Sequence, residues 1–190
     1  MTPGVATDVM ATDVITLITE DHRKVEALFE RLKKEEGDIP SAVAELHALL
    51  TAHARAEEDR VYPGIDAHHE LEEHKQAEVL LDELVRAVPG TPEFRLKLEK
   101  LVESVSHHVE EEEGELLPKL AQQVGEKRLR ELGTAFQERR DEELRALRTV
   151  HASSEASKAE LYEEAQKADI PGRSQMDKEE LQQAVRESRP

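Results

Sequence analysis

Two stretches of the sequence share a frame of histidine, glutamate and proline that could bind metal ions. The first reads HARAEEDRVYP over residues 53–63, and the second reads HVEEEEGELLP over residues 108–118. In both, Glu stands four residues after His, an apolar residue eight after it and Pro ten after it. On a helix, side chains four residues apart lie on one face, about 6 Å from each other. Each frame could therefore supply one imidazole and one carboxylate to the same site.

A His–Glu spacing of four residues is weak evidence for a site by itself, because an acidic chain contains many such pairs by chance. The position of each pair on its helix must therefore be considered as well. Its 190 residues include 43 Asp+Glu and 26 Lys+Arg, which gives a formal net charge of −17. Eight of the nine histidines have Glu four residues later, and His47 is the exception. Only the pairs that interrupt the apolar face of a helix point to a buried site.

Glycine and proline residues divide the first part of the chain into four long helical segments. From these breakers we expect helices over about 12–36, 40–62, 67–88 and 92–117. Short connections between long helices imply antiparallel neighbours, so the expected fold is all-α, with an up-down-up-down four-helix bundle. A fifth helix, over about 126–150, is expected to pack outside the bundle. The predicted first domain covers residues 1–150.

Six polar side chains stand on the apolar faces of the four helices, in steps of three or four residues from their apolar neighbours. They are His22, His53, Glu57, His74, His108 and Glu112. Counted from the shared turns, the four histidines lie within about 5 Å of one height along the bundle. His69 is ambiguous. Surface positions are expected for the other histidines, which are His47, His68, His107 and His151.

Burial of these six groups needs compensation. Uncompensated burial costs several kcal/mol per ion, against a net domain stability of about 5–15 kcal/mol. Two divalent or trivalent cations would compensate it, with the imidazoles as terminal ligands and the carboxylates as bridges. The alternative is a metal-free network of His–Glu hydrogen bonds. With nitrogen and oxygen ligands and no thiolate, iron, manganese and zinc all remain candidates.

The order of these residues resembles the hemerythrin-like (HHE cation-binding) family over about 12–150, including the EEDRVYP and EEEGELLP stretches. The resemblance implies a four-helix bundle with two non-haem iron ions joined by an oxo or hydroxo bridge. By this resemblance His22 and His53 would bind one iron and His74 and His108 the other. The resemblance makes Glu57 and Glu112 the bridging ligands.

The sequence departs from the oxygen-carrying members of that family at two positions. Those members place a second His one turn before the third-helix His and an Asp five residues after the last His. Here the first position is Glu70, and the bridging candidate is Glu112, four residues after His108. Glu70 is either a fifth ligand at the His74 iron or leaves room for water. More anionic ligands would favour peroxide or redox chemistry over reversible O2 binding.

Residues 157–190 are predicted to form a small separate module after a linker at residues 151–156. The motifs Ser157-x-x-Glu160 and Asp177-x-x-Glu180 are capping boxes that would open two short helices. The module resembles the helix-extended-helix module at the start of the Rho transcription terminator and, more loosely, SAP motifs. Its eight acidic and six basic residues favour packing or a protein partner over nucleic acid.

Composition excludes several classes of function. The absence of Cys excludes disulfides, thiolate metal sites and cysteine nucleophiles. The amino terminus lacks a signal-peptide pattern, and no segment has the about 18 continuous apolar residues of a membrane span, so a cytoplasmic location is expected. The negative charge argues against nucleic acid and anionic membranes as partners.

Two functions from different classes remain. In the first, a di-iron centre reacts with O2, hydrogen peroxide or nitric oxide in redox or oxidative-stress handling, with or without catalytic turnover. In the second, a binding module senses iron or oxygen and signals through its C-terminal helices. A metal-free scaffold is a third reading, which predicts no bound iron and unchanged stability after chelation.

Overall fold

The computed structural model describes residues 12–63 and 65–188, and within these ranges the side chains of residues 149–157 and 186 are left out. The described chain is helical and contains no strand, which confirms the all-α class. The described residues form six α-helices: α1 (Val14–Lys33), α2 (Ile39–Arg60), α3 (His68–Arg86), α4 (Pro92–Glu111), α5 (Leu117–Lys167) and α6 (Lys178–Glu187). A π-helical turn (Glu112–Leu116) joins α4 to α5, and a 3-10 turn (Arg173–Gln175) precedes α6. None of the described helices is long and apolar enough to cross a lipid bilayer.

Side-chain caps fix where three of the bundle helices begin. The Asp13 carboxylate accepts a hydrogen bond from the Thr16 backbone N–H at the start of α1. Asp38 caps α2 in the same way, and Thr91 caps α4 through the backbone N–H of Phe94. Each cap satisfies one of the N–H groups that a helix start leaves without a partner. The turns between helices are therefore encoded locally.

Helices α1 to α4 form a helical bundle around the apolar core. α1 packs against α2 and α4, and α3 also packs against α2 and α4. The buried apolar side chains fall into two groups, one containing Val25 and Val105 and the other containing Ile18 and Leu116. On α1, the buried Asp21 and His22 lie in sequence between these two groups, and after α4 the buried Glu112 does so. A polar layer thus divides the core at one level.

Helix α5 is interrupted at Gly125, whose φ of 72° and ψ of 167° are not helical, so a helix runs on from about residue 126 as predicted. A short helical segment from Leu117 precedes this break, and Pro118 stands in its first turn, where a missing N–H is tolerated. Phe136 of α5 is fully buried beside Ile18, so this helix packs against the bundle and extends its apolar core. Gly133 permits this close packing, since a Cβ atom there would lie 2.1 Å from the Thr12 carbonyl oxygen.

The chain divides into two compact units, one ending at Leu144 and the other beginning at Arg145. The second unit has its own small core of Ala165, Ile170, Leu181 and Val185. The predicted capping box at the start of α6 is confirmed, because Asp177 and Glu180 exchange hydrogen bonds of 2.8 Å between side chains and backbone N–H groups.

Residues 151–156, predicted as a linker, are helical and belong to α5. Ser157 likewise lies inside α5, so the first predicted capping box does not open a helix. The stretch contains Ala, Ser and Glu but no Gly or Pro that would end a helix. The predicted domain boundaries and the resemblance of the C-terminal module stay predictions.

Candidate metal centre

All six side chains singled out in the sequence meet in the bundle core, and we call them the core cluster. One histidine comes from each of the four bundle helices, and all six residues are buried, with 8% exposure or less. Glu57 follows His53 by one turn of α2, and Glu112 follows His108 by one turn at the start of the π-helical turn. The shared height predicted from sequence is therefore found.

The Nε2 atoms of the four histidines face the two carboxylates. Glu57 Oε2 lies 3.3 Å from His53 Nε2 and 3.4 Å from His74 Nε2. Glu112 Oε2 lies 3.2 Å from His22 Nε2 and 3.8 Å from His108 Nε2. Each glutamate thus stands between two histidines. This is the arrangement that two bridging carboxylates require.

The histidines also pair with one another. The ring centroids of His22 and His53 lie 5.0 Å apart, and those of His74 and His108 lie 4.7 Å apart. Potential ligand atoms fall into two compact groups, one with His22, His53 and both glutamates, the other with His74, His108 and Glu57. The pairing equals the one implied by the family resemblance.

The opposite ring nitrogen, Nδ1, of each histidine faces another carboxylate outside the cluster. We call these four residues the backing carboxylates. His22 Nδ1 lies 2.8 Å from Glu113, and His108 Nδ1 lies 2.8 Å from Glu73. His74 Nδ1 lies 3.2 Å from Glu58, and His53 Nδ1 lies 3.7 Å from Asp21. An Nδ1–H held by a carboxylate fixes the tautomer, so that Nε2 offers its lone pair to a metal.

The backing carboxylates follow a cyclic order around the bundle, in which each helix supplies a carboxylate to the histidine of the next helix. α1 supplies Asp21 to the histidine of α2, α2 supplies Glu58 to that of α3, and α3 supplies Glu73 to that of α4. The cycle closes when Glu113, from the turn after α4, reaches His22 of α1. Each backing carboxylate directly neighbours a core-cluster residue in the sequence. This adjacency is the signal by which they could have been found from sequence.

Several core-cluster atoms are buried without a hydrogen bond among the described residues. They are Nε2 of His22, both ring nitrogens of His53, Oε1 of Glu57 and Oε2 of Glu112. Two of these lie 3.2 Å apart, His22 Nε2 and Glu112 Oε2, yet without hydrogen-bond geometry. Leaving such groups unsatisfied costs about 1–3 kcal/mol each. Atoms that converge on a point without bonding one another fit a bound cation, and the nitrogen and oxygen donors suit iron, manganese or zinc.

Tyr62 is a further residue of the site, and the sequence analysis missed it. Its buried hydroxyl lies 3.2 Å from Glu57 Oε2, 3.3 Å from Glu112 Oε1 and 3.4 Å from His74 Nε2. It can donate its single proton to either glutamate. Burial raises the pKa of Tyr62 far above its usual range, and the two carboxylates raise it further, so the hydroxyl stays protonated. In the second frame the equivalent position is Leu117.

The electrostatics of the metal-free cluster favour the protonated form of two histidines, His22 and His74. Burial opposes charge on His22 and His74, but nearby glutamates outweigh it and raise their pKa values to about 9 and about 10. Burial and the charge of His74 lower the pKa of His108 to about 4. Burial and the charge of Glu57 raise the pKa of Glu112 to about 7. Cations that bind here would displace protons.

Among the remaining histidines, His68, His69 and His107 are exposed, and His47 is half-buried beside a cavity. The prediction for His151 lies outside the described side chains. Glu70 is half-buried and lies outside the clusters of potential ligands found in the described chain. Its charge contributes to raising the pKa of Tyr62, which places it near the centre.

Comparison with known proteins agrees with this geometry. The sequence profile of the hemerythrin HHE cation binding domain matches residues 13–120, a range that contains all six core-cluster residues. A protein from Nostoc sp. strain PCC 7120 named DNA nickase is 28% identical over 138 residues, covering 68% of this chain. This chain spans only 38% of that relative. No solved structure matches the chain.

Proposed function

The chain belongs to the hemerythrin HHE cation-binding domain family, and from this premise we propose that its core holds two non-haem iron ions that react with O2, hydrogen peroxide or nitric oxide. One observation carries the proposal. Four Nε2 atoms and two carboxylates converge in the core, while carboxylates face the four Nδ1 atoms from outside. When bound, iron supplies electron transfer and an open coordination position for a small molecule.

The ligand assignment follows the two groups of atoms. His22 and His53 would hold one iron and His74 and His108 the other. Glu57 belongs to both groups, and Glu112 faces a histidine of each, so both would bridge. The closed ring of contacts among α1 to α4 supports the up-down-up-down order, which stays a prediction.

A cavity of about 200 Å³ gives small molecules a way to the cluster. All four core histidines line it, and half of the other lining residues are apolar, including Val25, Leu81 and Val105. Small, weakly polar molecules such as O2 and nitric oxide suit such a wall. The Tyr62 hydroxyl lies between the two glutamates and can donate its proton to either of them.

Redox or peroxide chemistry is favoured over reversible O2 carriage. Glu70 stands where the oxygen carriers have histidine, and it adds negative charge near Tyr62. Anionic surroundings stabilise the ferric state relative to the ferrous state. A reduced sample that bound and released O2 over repeated cycles without becoming oxidised would contradict this preference.

The assignment is tested by iron quantitation and an optical spectrum of the wild type beside Glu112→Ala. About two irons per chain are expected for the wild type, and loss of iron and of the visible absorption for the variant. Glu110→Ala is the matched control, because Glu110 lies two residues earlier on the exposed side of α4. Wild-type protein without iron after anaerobic ferrous loading would refute the proposal.

A sensing function is the second candidate. The separate core of the unit from Arg145 onward favours it, because such a unit can pass a signal to a protein partner. Peroxide turnover by the iron-loaded chain separates the two candidates, since a pure sensor shows little. The DNA nicking in the name of the Nostoc relative is not extended to this chain, because a net charge of −17 opposes contact with a phosphate backbone.

A further inference from the structure

A second group of metal-binding side chains lies at the surface, where α3 faces the end of α4. Three of its residues, His69, Glu73 and Glu111, have ligand atoms within 4.8 Å of one another, and His107 approaches both carboxylates; we call these four residues the surface cluster. Each helix contributes His and Glu four residues apart, so the two pairs stack face to face. None of the four belongs to the core cluster. We propose that the surface cluster binds one divalent transition-metal ion, such as Zn²⁺, apart from the iron centre.

The imidazole nitrogens approach the two carboxylates at distances close to those in a metal site. His69 Nε2 lies 3.0 Å from Glu111 Oε2 and 3.6 Å from Glu73 Oε1. His107 Nε2 lies 3.5 Å from Glu111 Oε1 and 3.9 Å from Glu73 Oε1. Ligand atoms bound at about 2.0–2.1 Å around a tetrahedral zinc ion lie about 3.3 Å apart. The observed separations bracket this value.

Glu73 gives an independent reason for a cation at this position. Its side chain is only 10% exposed, and Oε2 accepts a hydrogen bond from His108 Nδ1 at 2.8 Å. The other oxygen, Oε1, points into the surface cluster and accepts no hydrogen bond from the described residues. A carboxylate oxygen so placed, with imidazoles on one side, is suited to a cation.

The charge pattern around the other backing carboxylates leads to the same conclusion. Glu113 pairs with Arg23 at 2.8 Å, Glu58 with Arg55 at 3.1 Å, and Asp21 with Arg140 at 2.8 Å. Glu73 has no Lys or Arg partner within the described part of the chain, where its ion pairs involve histidines alone. A metal ion in the surface cluster would supply the positive charge that arginine supplies elsewhere.

The ligand types restrict the ion. Two imidazole nitrogens with two carboxylates suit zinc and neighbouring transition metals, whereas Ca²⁺ and Mg²⁺ prefer sites made of oxygen alone. Two carboxylates balance a divalent charge. Exposure of His69 and His107, at 67% and 61% of their side chains, leaves the site open to ions from solution.

The test is equilibrium dialysis of the iron-loaded full chain against zinc, with both metals counted. One zinc per chain beyond the iron is expected for the wild type. The double variant His69→Ala with His107→Ala removes both imidazoles and should weaken zinc binding by roughly 100-fold or more while the iron content and spectrum stay unchanged. His68→Ala is the matched control, an exposed neighbouring histidine outside the cluster, and should keep both metals.

Glu112→Ala separates this proposal from the iron assignment. That variant should lose iron, and its zinc content should fall by one zinc per chain when His69 and His107 are also removed. A chain that never takes up iron but shows this zinc pattern would refute the di-iron function and support the surface site. Zinc binding that is absent, or equal in wild type and double variant, would overturn the surface site.

Discussion

Glu113 Oε1 lies 2.8 Å from Nδ1 of His22. The Nε2 atom of the same ring faces Glu112, the preceding residue, at 3.2 Å. Two consecutive glutamates therefore hold opposite edges of one imidazole. Both stand where the π-helical turn begins, a local widening that recurs at functional sites in helices.

Replacing Glu113 by Ala should weaken iron binding while the bundle stays folded. The His22 ring would lose the acceptor that fixes its tautomer and orientation, and loss of such a partner typically costs about 10–100-fold in metal affinity. The rate of iron transfer to a chelator measures the effect, with circular dichroism as the check on folding. Glu115→Ala is the control, because Glu115 in the same turn pairs with Lys119 at the surface and with no other residue that the structure describes. Equal losses in both variants would contradict a specific role of Glu113.

Tyr62→Phe should keep the iron but alter its surroundings. The ring remains in the core, whereas Glu57 and Glu112 lose their shared donor. We expect about two irons per chain, a shifted optical spectrum and slower peroxide turnover, together with a stability change of about 1 kcal/mol in the metal-free protein. Tyr162→Phe, at an exposed tyrosine, is the control. An unchanged spectrum and turnover would leave Tyr62 with a packing role alone.

Iron loading should release protons. In the metal-free protein the pKa values of His22 and His74 are raised to about 9 and about 10, so both rings carry a proton at neutral pH. Iron requires neutral rings, and binding therefore displaces about two protons per chain. Affinity should rise with pH, by up to about 100-fold per unit between about pH 7 and 9, because two protons compete with the metal.

Calorimetry in two buffers of different ionisation enthalpy measures this proton count. The titration uses anaerobic ferrous iron at one pH and the double variant His69→Ala with His107→Ala, so that the surface cluster does not contribute. Heats that are identical in the two buffers would mean that no proton is released. That result would contradict the raised pKa values.

Arg140→Ala should destabilise the bundle far more than Arg139→Ala. Arg140 of α5 holds the buried Asp21 carboxylate through both oxygens at 2.8 Å and lies over the Phe136 ring. Its removal should cost about 2–3 kcal/mol, less than for an isolated buried pair because Lys24 still contacts Asp21. Arg139 makes more exposed ion pairs with Asp59 and Glu143, worth about 1 kcal/mol or less.

Urea unfolding of the two metal-free variants compares these free energies directly. The midpoint and slope are read together, so that a change in the unfolded state is recognised. Equal losses for the two arginines would show that α5 does not stabilise the site through Asp21.

The core cluster was predictable because polar residues that interrupt an apolar face are costly and therefore informative. Periodicity gives the face on which His53 lies, and distance from the turns gives its height. Neither gives the rotation of one helix against the next. Adjacency to His22 marks Asp21 as a candidate, but its contact with His53 and the place of the Tyr62 hydroxyl depend on that rotation.

The chain between α4 and residue 126 was not predicted from the sequence. Pro118 indicates a helix end from its missing N–H, but the π-helical turn and a short helical segment, which lasts until the break at Gly125, continue the chain past it. Residues 151–156 lack apolar periodicity and so suggest a linker, although their backbone is helical. The composition of residues 151–156 is compatible with either a loop or a helix, and the helix on both sides favours the helical backbone.

Because the backing carboxylates follow a cyclic order, the complete site forms only when all four helices are in the correct register. Each of the four contacts joins one helix to the next, and the last returns to α1. A slip of one residue in any helix would rotate its histidine away from one neighbour and its carboxylate away from the other, breaking two links at once. Misregistered bundles would thus lack a complete site, and only correctly assembled chains would gain the stabilisation that bound metal provides.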